Sequence, residues 1–249
     1  MELDEDDRSQ QQLTATKEDT SSGNLLIAAL DDADRSRLLQ KSELVPLPVG
    51  MTIYEANATI THVYFPVRGI VSMVSEMSEG TVEVGTVGRE GMTGLPIVLH
   101  ADSMPTRAFV QVEGAGLCLR AGDLRAAMRS CPAVERLLSR YALALFDQAA
   151  QNAACNRLHA LEARCARWLL MTHDRVGDDV LPLKQTFLAE MLGVHRPAVT
   201  VAAGALQAAG IIRYARGKLT IVDRSRLEAV ACECYAITRQ SFLSLRGAD

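Results

Sequence analysis

No stretch of the chain approaches the roughly 20 uninterrupted apolar residues that a membrane-spanning helix needs. The first residues, MELDEDDRSQQQ, lack the apolar centre of a secretory signal. Aromatic residues are scarce, at 4%. No His pair has the spacing of a metalloprotease helix, and no phosphate loop or nucleophile–base set appears, which leaves little ground for an enzyme. Six cysteines (Cys118, Cys131, Cys155, Cys165, Cys232, Cys234) are too scattered for a disulfide scaffold and read as reduced, mostly buried thiols. Cys232-Glu233-Cys234 is the one close pair. Without a second pair or a neighbouring His it is a weak metal signal, and no metal site is expected.

What is present suits a globular protein of one large or two ordinary domains: 249 residues, 48% of them hydrophobic. A cytoplasmic protein, away from membranes, is expected. Its net charge of −4 conceals an asymmetry. Residues 1–23 carry seven acids against Arg8 and Lys17, a net −5. Residues 181–226 carry seven Lys and Arg against Glu190 and Asp223, a net +5. A basic segment in an acidic chain is either a phosphate-binding footprint or an ordinary solvated surface. Charge alone does not separate the two, nor does it say whether the acidic tail shields the basic face.

Residues 1–23 are polar and read as a disordered acidic tail. A helical stretch follows from about Asn24 to Lys41, with a helix start inside it at Asp31-Asp32-Ala33-Asp34. From 44 to 120, short runs rich in Val, Ile, Tyr and Thr alternate with glycines, the pattern of an all-β sandwich or barrel, with a hairpin turn at Glu79-Gly80. Pro132 suits the first turn of a helix that continues without Gly or Pro to about Arg157. Val134, Leu138, Tyr141, Leu145, Gln148, Asn152 and Cys155 step along it by four and three. That seam is buried either in its own domain or against a second copy of the same helix. Gln148 and Asn152 would set register in the second case, or meet something in an adjacent pocket.

Residues 185–200, QTFLAEMLGVHRPAVT, are the most specific part. Two helices that cross steeply need a small residue where they meet, which Ala189 supplies. The sharp turn four residues on needs a positive φ, which Gly193 supplies. Pro197 is tolerated only in the first turn of the second helix, so that helix starts near His195 or Arg196. Val199, Ala202, Leu206 and Ala209 then face inward, and Arg196, Thr200, Ala203 and Gln207 share the outer face. A basic hairpin with its turn at Arg216-Gly217-Lys218 follows, like the wing of a winged helix. A generic helical hairpin with a solvated face is the plainer alternative. The DNA-contacting candidates are Arg196, Thr200 and Gln207 for base edges, and Lys184, Gln185, His195, Arg213, Arg216 and Lys218 on the phosphate side.

Over roughly residues 24–235 the chain resembles the Crp/Fnr family of bacterial transcription regulators. The resemblance is carried by HVYFPVRGIVSMV, VEVGTVGREGMTGLP, LEARCARWLL and, above all, LAEMLGVHRPAVTVAAGALQAAGIIRY. It implies an α+β chain. A double-stranded, jelly-roll-like β-roll (24–130) is followed by a long dimerisation helix (131–158). A winged helix-turn-helix (159–235) and a C-terminal tail (236–249) complete it. It also implies a homodimer on double-stranded DNA, each recognition helix in the major groove of one half-site, and RNA polymerase as a further partner. In several members the β-roll binds a cyclic nucleotide. Here the family's Gly-Glu-Leu is Gly94-Leu95-Pro96, so the Glu that holds the ribose is missing, and Arg107 sits one place late for the cyclic phosphate. Ordinary cyclic AMP is therefore not the expected ligand. The N-terminal cysteines of the iron–sulfur members are also missing. A nucleotide or other small anionic effector would fall to Arg89, Glu90, Gly91, Gly94, Arg107, Gln148 and Asn152. A ligand-free roll whose glycines only make turns is the other possibility. The competing function is a nucleotide- or anion-binding regulatory protein in which the β-roll is the main activity.

Overall fold

The computed structural model describes residues 23–246, so the acidic tail lies outside the described residues except for Gly23. Two short helices open the fold, α1 (Leu25–Ala28) and α2 (Asp32–Lys41). The Asn24 side chain caps α1, and Asp31 caps α2 by accepting the Asp34 amide at 2.8 Å. The helix start expected inside this stretch is thus a break between two helices.

The β-domain is an antiparallel sheet of β1 (Glu43–Leu47), β2 (Thr52–Tyr54), β3 (His62–Met77), β4 (Gly80–Val87) and β5 (Arg107–Arg120). The order is β1-β5-β3-β4, with β2 also on β5. The sequence reads HVYFPV and GIVSMVSEM as two runs parted by Gly69, yet they form one strand of 16 residues. The register shifts between Pro66 and Val71, where Gly69 takes φ +84° and lies hard against β5. A Cβ there would sit 2.6 Å from the Val112 carbonyl oxygen. The glycine marks a bulge that bends the strand. The hairpin turn falls on Ser78-Glu79, one residue before the expected pair, with Met77 opposite Gly80.

Helices α3 (Leu95–Val98) and α4 (Ala121–Ser130) flank the sheet, and the long helix α5 (Pro132–Leu158) packs across it. Pro132 stands in the first turn of α5, where its missing N–H costs no helical bond. After the break at His159-Ala160 come α6 (Leu161–Val176), β6 (Val180–Leu181), α7 (Gln185–Leu192), α8 (Arg196–Ala208), β7 (Ile212–Ala215), β8 (Lys218–Ile221), α9 (Arg224–Val230) and α10 (Cys234–Leu243).

Residues 236–246 do not form a tail. Helix α10 buries Tyr235, Thr238 and Phe242 at helical spacing, and Phe242 and Leu245 join the β-domain core. The stripe escapes a sequence reading because its members are few, mixed in polarity and close to the chain end.

The heptad-like seam of α5 faces its own domain. Val134, Leu138, Tyr141, Leu145, Gln148 and Cys155 are all buried and Asn152 is half-buried. Tyr141 donates to the Met92 carbonyl at 2.7 Å. Gln148 and Asn152 brace the unpaired edge of β4. Gln148 accepts the Thr86 amide at 3.3 Å, and Asn152 donates to the Val84 carbonyl at 3.2 Å. A second apolar line runs along the outside of the same helix. Leu143 is 60% exposed and Phe146 68%, and the exposed Ala150 and Ala153 continue it at steps of four and three.

Candidate nucleic-acid interface

Helices α7 and α8 meet over Leu188, Ala189, Leu192, Val199 and Leu206, all buried. Gly193 takes φ +63°, and the amides of Gly193 and Val194 close the turn on the carbonyls of Glu190 and Ala189. The buried Arg164 of α6 donates to the Leu192 carbonyl at 2.6 Å and so satisfies the end of α7. His195 is the N-cap residue of α8, with Pro197 in its first turn.

The outer face of α8 is rotated by one residue from expectation. Ala203 is buried at 2% exposure, because it packs among the residues that join α8 to the rest of the domain core. The exposed positions are Arg196, Pro197, Thr200, Val201, Gly204, Ala205, Gln207 and Ala208. Ala209, expected to face inward, is exposed at the helix end.

Thr200 donates to Gln185 Oε1 at 2.9 Å, which couples the two helices at the exposed face. Gln207 Oε1 accepts the Tyr214 amide at 2.7 Å and so supports the first strand of the hairpin, an attachment the sequence does not reveal. The hairpin turn is Arg216-Gly217, with φ of +51° and +76° as a two-residue turn between β7 and β8 requires. The Tyr214 hydroxyl donates to the Leu183 carbonyl and ties the hairpin to the segment before α7. Lys184, Gln185, Arg196, Tyr214 and Gly217 thereby line one open cleft of about 370 Å³. Lys184, His195, Arg196, Arg213, Arg216 and Lys218 are exposed, and among the described residues none is in an ion pair. Unpaired cations on a helix face and its adjoining hairpin are available to phosphates without first breaking an internal contact.

A model of the Crp-like helix-turn-helix domain matches residues 163–230. The C-terminal part of the chain is a Crp-like helix-turn-helix domain. Solved structures of Crp/Fnr regulators share the fold across most of the chain's length. A Crp/Fnr-family regulator from Eubacterium rectale is 19% identical with a TM-score of 0.66, over 82% of this chain and 96% of that one. FixK2 from Bradyrhizobium japonicum is 17% identical with a TM-score of 0.64, over 77% of this chain and 98% of that one. CLP from Xanthomonas campestris, a c-di-GMP-responsive global regulator, is 16% identical with a TM-score of 0.59, over 77% and 99%. Comparison with the curated proteins finds no match.

The effector candidates do not form one site. Arg107, at the start of β5, pairs with Glu76 at 2.7 Å and lies over the Phe109 ring. Glu90 accepts from Arg175 at 2.7 Å and from the Gly88 amide, and it lines with exposed Arg89, Arg175 and Arg239 a cleft of about 330 Å³ away from Arg107. Gly91 lets Tyr141 approach, and Gly94, at φ +82°, packs on Val63. Gln148 and Asn152 border a cavity of only about 10 Å³. That space is far below the several hundred Å³ a nucleotide-sized ligand occupies.

Two features carry chemistry that the sequence reading left out. Glu83 of β4 lies between the two domains, accepting from Ser72 and from Trp168 of α6. Burial pushes its carboxyl up to about 7, against the pull of those two hydrogen bonds and of Arg175 and Arg167. Elsewhere, Cys155, His159, Cys232 and Cys234 bring four potential ligand atoms within 4.8 Å of one another.

Proposed function

We propose that this regulator grips double-stranded DNA as a homodimer, with α8 in the major groove of each half-site and the hairpin along the adjoining backbone. The observation that carries the proposal is the one exposed surface formed by Arg196, Thr200, Lys184 and the free cations of the hairpin. Arg196, at the first turn of α8, is suited to a guanine edge. Thr200 presents its hydroxyl and methyl beside it. Lys184, Gln185, His195, Arg213, Arg216 and Lys218 take the phosphate side. Gln207 sits at the same face but holds the hairpin, so its weight shifts from base reading to positioning.

The exposed Leu143–Phe146–Ala150–Ala153 line supports dimerisation through the long helix. It is an apolar heptad stripe outside the monomer's own core, and pairing with a copy of itself buries it. Two-fold pairing there predicts two half-sites about one helical turn apart. Contact with RNA polymerase and a cytoplasmic location belong to the same proposal. No helix among the described residues is long and apolar enough to cross a membrane.

The test is selection of genomic fragments by the purified chain without added ligand. A two-fold symmetric site whose affinity falls steeply with salt is the expected result. Binding without sequence preference, or through one half-site only, would overturn it.

A further inference from the structure

The structure assigns a zinc site to Cys155, His159, Cys232 and Cys234, at the junction of the long helix and the DNA-binding domain. The residues come from three places: Cys155 in the last turn of α5, His159 at the break between α5 and α6, and Cys232 and Cys234 at the entry to α10. Cys155 and Cys234 are completely buried and Cys232 is 7% exposed. Cys155 Sγ lies 3.5 Å from Cys232 Sγ, and Cys234 Sγ 3.4 Å from His159 Nδ1. Ligands of a tetrahedral zinc with bonds of about 2.0–2.3 Å stand roughly 3.5–3.8 Å apart, so small shifts complete the site. Three buried sulfurs and one half-buried imidazole, with no further His, Cys, Asp or Glu ligand atom in the group among the described residues, match a closed structural zinc rather than a hard cation.

The surroundings fit the same chemistry. His159 presents Nδ1 to the cluster, and its Nε2 stands 3.2 Å from a Glu233 carboxylate oxygen, the outer contact that fixes a metal-bound imidazole. Gln151 Nε2 donates to Cys234 Sγ at 3.0 Å, a contact that would strengthen on a metal-bound thiolate. Burial raises the Cys155 thiol and pushes Cys232 up to about 12, so these two stay neutral until a metal displaces their protons. Zinc binding would release three thiol protons to solvent. Three thiolates, a neutral imidazole and Zn²⁺ carry a net −1. Arg164 is 9% exposed and has no carboxylate partner among the described residues. Burial holds Arg164 below its ordinary value, against the smaller opposing pull of Cys155 and Cys232, and Arg167 also acts on Cys155, so these two guanidiniums are the cations near the site. The same Arg164 holds the end of α7, so the metal is linked to the helix-turn-helix through one side chain. A simple thiol pair would use Cys155 and Cys232 and leave the placement of His159, Glu233 and Gln151 without a purpose.

The experiment uses the full chain, reduced and stripped with a chelator, titrated with Co²⁺ and then Zn²⁺. The expected result is one Co²⁺ per chain, with the intense visible bands of tetrahedral cobalt and a sulfur-to-metal charge-transfer band, both abolished by one equivalent of Zn²⁺. Cys232→Ser should lose the site. Glu233→Gln, which keeps all four ligands, should weaken zinc by roughly 10-fold. Absence of the bands from the reduced, folded chain would overturn the assignment. So would bands unchanged in Cys232→Ser. A Cys155–Cys232 disulfide in a chain that takes up no metal when reduced would replace it with a redox pair.

Discussion

Glu83 on β4 accepts the indole N–H of Trp168 on α6 at 2.8 Å, so a side chain of the β-domain is bonded directly to the DNA-binding domain. Ser72 holds its other oxygen at 2.6 Å. Around this bond Phe109 meets Phe187 edge-on at 6.5 Å, and Met191 reaches Ser72. The two domains therefore share a packed boundary, and the state of one carboxyl at that boundary is felt by both.

That carboxyl sets a pH dependence. Its ordinary value of 4.5 is raised to about 7 in the fold, first of all by burial. Between these values Glu83 binds more proton in the folded than in the unfolded chain, so its contribution to stability is fully present below pH 4.5 and is lost as pH rises through 7. The full difference corresponds to about 3 kcal/mol. Glu83→Gln mimics the protonated form. It should flatten this part of the stability–pH curve and melt higher than the parent at pH 8, as followed by thermal denaturation across pH. An unchanged slope would show that Glu83 does not titrate there.

Arg196→Ala should cost about 1–3 kcal/mol in DNA binding and relax preference at one base position per half-site. Its side chain is exposed and unpaired, so the melting temperature should not move. Lys218→Ala should instead weaken all sequences alike and lower the salt dependence of binding. Selection experiments on the two variants at several salt concentrations separate reading from phosphate contact.

Phe146→Glu places a charge in the exposed line of α5, where a copy of the helix is expected to pack. Because Phe146 is 68% exposed, the monomer should keep its fold. Sedimentation should show a shift toward monomer, with DNA affinity falling in step. A stable dimer in this variant would place the interface elsewhere.

Gly193→Ala tests the turn and the domain boundary together. The turn needs φ +63°, and an added Cβ would lie 2.9 Å from Val82 Cγ2 on β4. A loss of about 1–2 kcal/mol is expected from the backbone alone. Val82→Ala in the same chain should recover only the part due to the contact, as a double-mutant cycle in denaturant would measure.

Features settled by near neighbours were legible in the sequence. The cap at Asp31, Pro132 opening a helix, Gly193 in the turn and Pro197 opening the recognition helix each follow from what a residue's own backbone and hydrogen-bonding groups allow. The glycine-punctuated strands and the basic hairpin follow for the same reason. Other features depend on which surfaces meet. A period of three and four along α5 says that one face is buried, but not whether its own β4 edge or a second helix covers it. The fold gave most of the sequence-marked seam to the β-domain, buried its last member Cys155 against Cys232 and Cys234, and left Leu143 and Phe146 outside. Ala203 went inward because a third layer packs there, and Gln207 turned to the hairpin because Tyr214 offers it an amide. Cys155 and His159 stand more than 70 residues from Cys232 and Cys234, so their convergence is invisible to spacing. Local sequence constrains backbone conformation over a few residues, whereas contacts between distant residues are chosen by burial, and burial belongs to the whole chain.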